Sequence, residues 1–373
     1  MTAVIAATGL YTPPNVITNE ELVQAFNTYV LEYNRQHDAD ISAGRLEPLQ
    51  PSSSSFIEKA SGIKQRHVVI KEGILDPERM RPCIPMRSPE EPSLQCEMAL
   101  AAIHQALDTA QVMPQEVDAI IVACSNFQRP YPAIAIEIAH FLKSNAFGFD
   151  MNLACSSATF GISTAANMIN AHQAKTVVVV SPELASGQLN YKDRESHFIF
   201  GDACTAVVLQ SDTIVKVPHF AILSTSLATN FSTNIYTRQG FLTYAETQTH
   251  APVPQYFFQQ NGRKVFKEVI PMVVEHLLEH FNQNQIDVGH IKRFWLHQAN
   301  QNMNELITKK LFNNDPSVLQ APIILDRFAN TGSAGSIICF HEYHEDFKAG
   351  ELGIICSFGA GYSIGSLLVK KQD

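Results

Sequence analysis

Short apolar runs rich in β-branched residues alternate along the chain with longer stretches of helical periodicity. The pattern predicts strands at Ala119–Ala123, Thr176–Ser181, Ala203–Leu209, Phe294–His297 and Gly353–Ser357. It predicts helices at Leu94–Ala110, Ala133–Phe141, Thr159–His172, Lys264–Phe281 and Asn302–Phe312. Thr176–Ser181 and Gly353–Ser357 are apolar on both faces, as central strands covered by helices are. This alternation implies a layered α/β fold. A turn at Ser211-Asp212-Thr213 divides the chain into residues 1–212 and 213–373, each expected to hold a sheet and its covering helices. Two stretches break the rhythm. Residues 28–55 are polar, with Pro48, Pro51 and serines from Ser52 to Ser55, and residues 71–92 carry Pro77, Pro82, Pro85, Pro89 and Pro92. They read either as surface loops that decorate the fold or as a cap or dimer contact.

Composition narrows the class. The 373 residues are 45% hydrophobic and 17% charged, enough to bury a large core. A formal charge of -9 argues against nonspecific nucleic-acid binding. The chain has no apolar run of about 18 residues, so no membrane span is expected. Met1–Gly9 lacks a basic leader region and reads as a first strand. Seven scattered cysteines without a CxxC pair point to reduced thiols in a cytoplasmic protein, not a disulfide scaffold or metal site.

Chemistry concentrates at three places. Cys155 follows the apolar run ending Met151-Asn152-Leu153-Ala154 and opens a helical stretch. A thiol at a helix N-terminus feels the positive end of the backbone dipole, so its pKa is expected to fall. His297 stands in Trp-Leu-His-Gln-Ala-Asn, and Asn330 in Arg-Phe-Ala-Asn-Thr-Gly. A Cys, a His and an Asn at the ends of apolar elements suggest an acyl-transfer enzyme. Cys124, Cys204, Cys339 and Cys356 lie in apolar segments and read as packing residues, and His67, His197, His341 and His344 as structural or solvent-facing.

Met151–Gly161, Ile199–Asp202, Trp295–Asn300, Asn330–Ala334 and Ser357–Tyr362 occur in an order that resembles β-ketoacyl-acyl-carrier-protein synthase III over nearly the whole chain. The resemblance implies the thiolase-like fold: a five-layered αβαβα core of two pseudo-duplicated halves, normally a homodimer. It implies Cys155 as acyl-accepting nucleophile, with His297 and Asn330 handling malonyl decarboxylation. The backbone N–H groups of Cys155 and Ala360 would form the oxyanion hole, and Phe358 would pack beside the nucleophile. Tyr131 falls where a family aromatic closes the partner subunit's acyl pocket. The substrates implied are acyl-CoA or acyl-ACP and malonyl-ACP. Coenzyme A or phosphopantetheine is carried by the substrates, so neither cofactor nor metal is expected.

Some positions depart from the family. Where members sandwich adenine between Trp and Arg, this chain has Phe56 and Ala60, keeping a stacking surface but not the cation. Asn302 replaces an Arg after the histidine motif, while Lys309 and Lys310 remain to meet an acidic carrier protein or a phosphopantetheine phosphate. These changes favour a donor longer than acetyl, or one presented on carrier protein. Cys124–Arg129 contains no acid, which argues against superfamily branches that need a carboxylate base near the nucleophile. A type III polyketide or quinolone-like enzyme remains the alternative, and a catalytically silent acyl-binding subunit the remote one.

Overall fold

The computed structural model describes residues 2–238, 240, 257–312, 317 and 319–373. Its first half runs β1 (Ala3–Tyr11), β2 (Asn15–Thr18), α1 (Asn19–Gln36), α2 (Asp38–Ser42), α3 (Ser54–Ser61), β3 (Gln65–Val68), α4 (Leu94–Ala110), β4 (Ala119–Ala123), α5 (Ile134–Phe141), β5 (Phe147–Met151), α6 (Ser157–Asn170), β6 (Thr176–Glu183) and β7 (Ala203–Ser211). The second runs β8 (His219–Thr229), β9 (Ile235–Tyr236), β10 (Gln259–Gln260), α7 (Gly262–Gln283), β11 (Ile291–Leu296), α8 (Gln301–Phe312), α9 (Leu325–Phe328), α10 (Gly335–Glu342), β12 (Leu352–Gly359) and β13 (Ser363–Gln372).

Nine strands form one sheet in the order β11-β12-β13-β8-β1-β7-β6-β4-β5. From its middle the order β1-β7-β6-β4 is matched by β8-β13-β12-β11, and the two series meet where β1 pairs antiparallel with β8 at Val4–Ala221 and Ile5–Phe220. β4 and β6 are buried throughout, as uninterrupted Val/Ile runs demand in strands covered on both faces. Helices α4 and α5 cover one outer face and α7 and α8 the other. Between the sheet halves, α6 and α10 share one apolar cluster with Ile121, Val179, Ile355 and Leu367. The result is the five-layered αβαβα arrangement of the thiolase-like fold.

The irregular stretches contain more structure than their composition suggested. Residues 28–36 continue α1, which begins at a Thr18–Glu21 capping box. The helix buries Leu22, Ala25, Phe26 and Val30, after which its last turns are polar because nothing covers them. The following loop is tied back by paired amide bonds, Asn34 with the backbone of Leu49 and Asn27 with that of Ser52. Residues 71–92 hold no helix or strand, and Lys71 anchors them to Glu21 at 2.7 Å.

Close helix–sheet packing depends on one glycine. A Cβ at Gly9 of β1 would collide with the Ala102 carbonyl of α4 and lie 2.9 Å from the Ala106 nitrogen. Backbone atoms cannot swing aside, so Gly9→Ala is expected to destabilise the fold by about 1–3 kcal/mol. A urea midpoint unchanged from wild type would contradict this.

Candidate active site

Cys155 sits in the turn between β5 and α6. Ala154 adopts φ 49°, a left-handed conformation that a side chain tolerates only under constraint. The constraint is visible: the Leu153 N–H donates to Ser157 Oγ at 2.9 Å, the Ala154 N–H donates to Asn152 Oδ1 at 2.9 Å, and Asn152 Nδ2 donates to the Ser125 carbonyl at 3.0 Å. From the other half, the end of β12 lies across the turn. A Cβ on Gly359 would stand 2.7 Å from the Cys155 Cβ and 3.3 Å from its Sγ, so this crossing requires glycine.

The thiol differs from its sequence-based expectation. Cys155 lies two residues ahead of α6, which starts at Ser157. Burial, followed by the negative charge of Glu183, pushes its pKa up to about 12 despite the lowering effect of its own backbone N–H. The lowered pKa expected at a helix N-terminus is therefore corrected in direction: Cys155 precedes the helix, and burial holds its thiol above the ordinary range.

His297 follows β11 directly, with its N–H donating to the Cys356 carbonyl at 2.8 Å. Its ring meets Phe358 edge-on at 5.3 Å between centroids. Burial alone pulls its pKa down to about 3, so the imidazole is neutral at physiological pH. Nδ1 is buried without a partner, which leaves Nε2 as the nitrogen able to serve the cavity. Asn330 is pinned by its backbone, its N–H to the Ile199 carbonyl and its carbonyl from the Gly201 N–H. Its Oδ1 accepts from the Gly332 N–H at 3.0 Å, so the Nδ2 hydrogens are the part of the amide left to donate.

Cys155, His297 and Asn330 line one cavity of about 770 Å³, together with Phe358, Gly359 and Phe56. Ala360, half-buried, follows Gly359 in the hairpin to β13, and its carbonyl accepts from Ser363 Oγ. The site thus brings together a nucleophile, two neutral donors and an apolar wall. Among the described residues no cluster of three His, Cys, Asp or Glu side chains could hold a metal ion.

Other expected residues lie elsewhere. Tyr131 is 81% exposed and outside the cavity lining. Lys309 and Lys310 are exposed on the last turn of α8, also outside it. Neither residues 28–55 nor residues 71–92 contribute to the lining, so the cap reading has no support in the cavity wall. Asn302 donates to the Lys59 carbonyl at 3.3 Å and so helps dock α8 against the end of α3.

Two groups escaped the sequence reading. The Arg194 guanidinium lies over the Phe56 ring at 4.1 Å, bringing a cation beside that ring from a distant loop. Glu183, at the end of β6, accepts from the N–H and hydroxyl of Ser125, but it is fully buried and outside the cavity lining. A glutamate shortly after the apolar run Val177–Val180 was the signal that could have revealed it.

Known proteins resemble this chain along most of its length. The family profile for 3-oxoacyl-[acyl-carrier-protein (ACP)] synthase III matches residues 149–230, and its C-terminal counterpart matches 281–371. The chain is 53% identical over 351 residues to the beta-ketodecanoyl-[acyl-carrier-protein] synthase of Pseudomonas aeruginosa, covering 94% of this chain and 100% of that one. It is 28% identical over 373 residues to the beta-ketoacyl-[acyl-carrier-protein] synthase III of Ehrlichia canis, covering 99% of each. Solved structures share the fold. The synthase III of Aquifex aeolicus superposes with a TM-score of 0.76 at 24% identity, covering 99% of both chains. The priming β-ketosynthase of the R1128 polyketide pathway gives 0.78 at 21%, covering 100% of this chain and 97% of that one.

A neutral resting thiol has a direct kinetic signature. Inactivation of the protein by iodoacetamide at Cys155 should accelerate about tenfold per pH unit without levelling through about pH 9. A plateau near neutrality would show that the helix dipole wins after all.

Proposed function

The chain belongs to the β-ketoacyl-acyl-carrier-protein synthase III family, and we propose that Cys155, His297 and Asn330 carry its two half-reactions on a medium-chain donor. It is an acyltransferase that catalyses decarboxylative condensation. The observation that carries the residue assignment is the lining of one cavity by all three side chains.

In the first half-reaction the sulfur of Cys155 attacks the carbonyl of an acyl thioester. The carbonyl oxygen takes up charge that the N–H groups of Cys155 and Ala360 receive. The intermediate then expels the carrier thiol, which takes the proton Cys155 gave up. Because His297 is too weak a base to hold that proton, the exchange stays neutral: one thiol and one thioester enter and leave.

In the second, malonyl thioester loses carbon dioxide and charge collects on its thioester oxygen. His297 Nε2–H and Asn330 Nδ2–H would stabilise this enolate, each donor being worth about 3–4 kcal/mol in the barrier. A neutral imidazole suits this step, since an imidazolium would pair with the malonyl carboxylate and hold back its departure. Phe358, 2% exposed, offers that carboxylate an apolar wall. The enolate carbon then attacks the acyl-cysteine carbonyl, the tetrahedral intermediate breaks its C–S bond to expel Cys155 as a thiolate, and that thiolate takes a proton from water to restore the resting thiol.

The Pseudomonas aeruginosa relative bears on the donor. A β-ketodecanoyl product contains ten carbons and condensation adds two, which supports an eight-carbon acyl donor for this chain. The Phe56–Arg194 pair supports delivery by coenzyme A, whose adenine can stack on either group. Exposed Lys309 and Lys310 suit an acidic carrier protein bringing malonyl groups. The repeat of strand order supports division of the halves between β7 and β8, near residues 212–213. No helix among the described residues is long and apolar enough to cross a membrane, and the seven free cysteines fit the reducing cytoplasm.

β5 ends the nine-stranded sheet with Phe147 and Phe149 52% and 37% exposed on one face. An unpaired edge flanked by apolar rings supports a homodimer through β5, which would carry exposed Tyr131 toward the partner's acyl pocket.

Incubation with acyl-CoAs and acyl-carrier proteins of graded length, read by intact mass, should give one acyl adduct, strongest near eight carbons with coenzyme A. Cys155→Ala should lose the adduct, while His297→Ala and Asn330→Ala should keep it and lose condensation by at least about a hundredfold. Normal condensation by either variant would overturn its role. Sedimentation of a Phe147→Asp/Phe149→Asp protein should report a monomer; an undisturbed dimer would remove β5 from the interface.

A further inference from the structure

Glu183 is the most unusual buried group outside the reacting set. It is 0% exposed, and among the described residues no cation partners it: each hydrogen bond to its carboxylate involves a neutral group. Oε1 accepts from the Ser125 N–H at 2.9 Å, the Ser333 N–H at 2.8 Å and the Ser333 hydroxyl at 2.5 Å. Oε2 accepts from the Ser125 hydroxyl at 2.5 Å and, at 3.5 Å, from Asn126 Nδ2. Burial pushes the Glu183 carboxyl above its ordinary range while these hydrogen bonds pull it back, and a buried carboxyl so surrounded fixes the loops that supply its partners.

One of those loops carries Asn330. Gly332, at φ 57°, lies so close to Glu183 that a Cβ there would sit 2.6–2.8 Å from the carboxylate atoms. The N–H of this same Gly332 holds Asn330 Oδ1. Ser333, next in the chain, is bound to Glu183 through both backbone and side chain. The 332–333 turn is thus clamped by the carboxylate on one side and orients the Asn330 amide on the other. The nucleophile turn is linked to Glu183 only at one remove, through Asn152 and the Ser125 carbonyl, and it has further supports in Ser157 Oγ within it and Ser363 across the halves.

We infer that Glu183 is a positioning residue for the decarboxylation step, holding the Asn330 amide in register through Gly332 and Ser333 without lining the cavity. It rests on the assignment of Asn330 as an enolate donor, and it weights the two half-reactions unequally: loosening the clamp misplaces Asn330 directly, while Cys155 keeps the supports of Ser157 and Ser363.

The test measures acyl loading of Cys155 and decarboxylation of malonyl-carrier protein separately, in wild type, Asn330→Ala, Glu183→Ala, Glu183→Gln and Ser333→Ala. Glu183→Ala should lower decarboxylation about a hundredfold, the scale of a small misplacement at a reacting centre, with loading far less affected. Ser333→Ala, which removes one hydroxyl and avoids a buried void, should lower it about tenfold. Glu183→Gln keeps an acceptor for both backbone N–H groups and should restore activity to within a few-fold of wild type. Wild-type decarboxylation by Glu183→Ala or Ser333→Ala, or parallel loss of loading and decarboxylation in both, would overturn the inference. Wild-type decarboxylation by Asn330→Ala would instead remove the assignment beneath it.

Discussion

The contact on which the site depends is the crossing of the β12–β13 hairpin over the nucleophile turn. Gly359 touches Cys155 there, and Ser363 ties the crossing down: its carbonyl accepts from Ser156 Oγ at 2.9 Å, and its hydroxyl donates to the Leu153 carbonyl at 3.2 Å. Cys155 comes from one half of the molecule, and His297 and Asn330 from the other. A side chain at position 359 would lift the halves apart, and the reacting groups would no longer share one space. The pseudo-symmetric sheet, joined at β1 and β8, is the frame that brings these two edges together.

Within that space, loss of water governs charge. The same desolvation raises the thiol of Cys155 and lowers the imidazole of His297, moving both toward their uncharged forms. The site is therefore not a preformed thiolate–imidazolium pair but a neutral array whose dipoles face incoming charge. Such an array suits a reaction in which negative charge appears only transiently, first on a tetrahedral oxygen and then on an enolate. The buried carboxyl nearby belongs to Glu183, and the serine and backbone groups of two loops occupy its oxygens.

Much of this was legible in the chain. Uninterrupted Val and Ile runs announced β4 and β6, and the turns bearing Cys155, His297 and Asn330 stood out because polar residues closed apolar elements. What stayed hidden depended on distance through space. Arg194 reaches Phe56 from a loop far along the chain, and nothing in either local sequence couples them. Glu183 was visible as an acid at the end of an apolar strand, but its meaning came from Ser125 and Ser333, which only the folded sheet brings to it. The thiol pKa was misjudged because a helix dipole can be read from sequence order, whereas burial cannot.

The stacked Phe56 and Arg194 have a consequence for order at the cavity rim. The guanidinium already rests on one face of the ring, so the two side chains form a flat platform before anything arrives. Freezing a long arginine chain costs rotational entropy, and here folding has met that cost in advance. A planar group settling on the outer side of this platform would find it rigid.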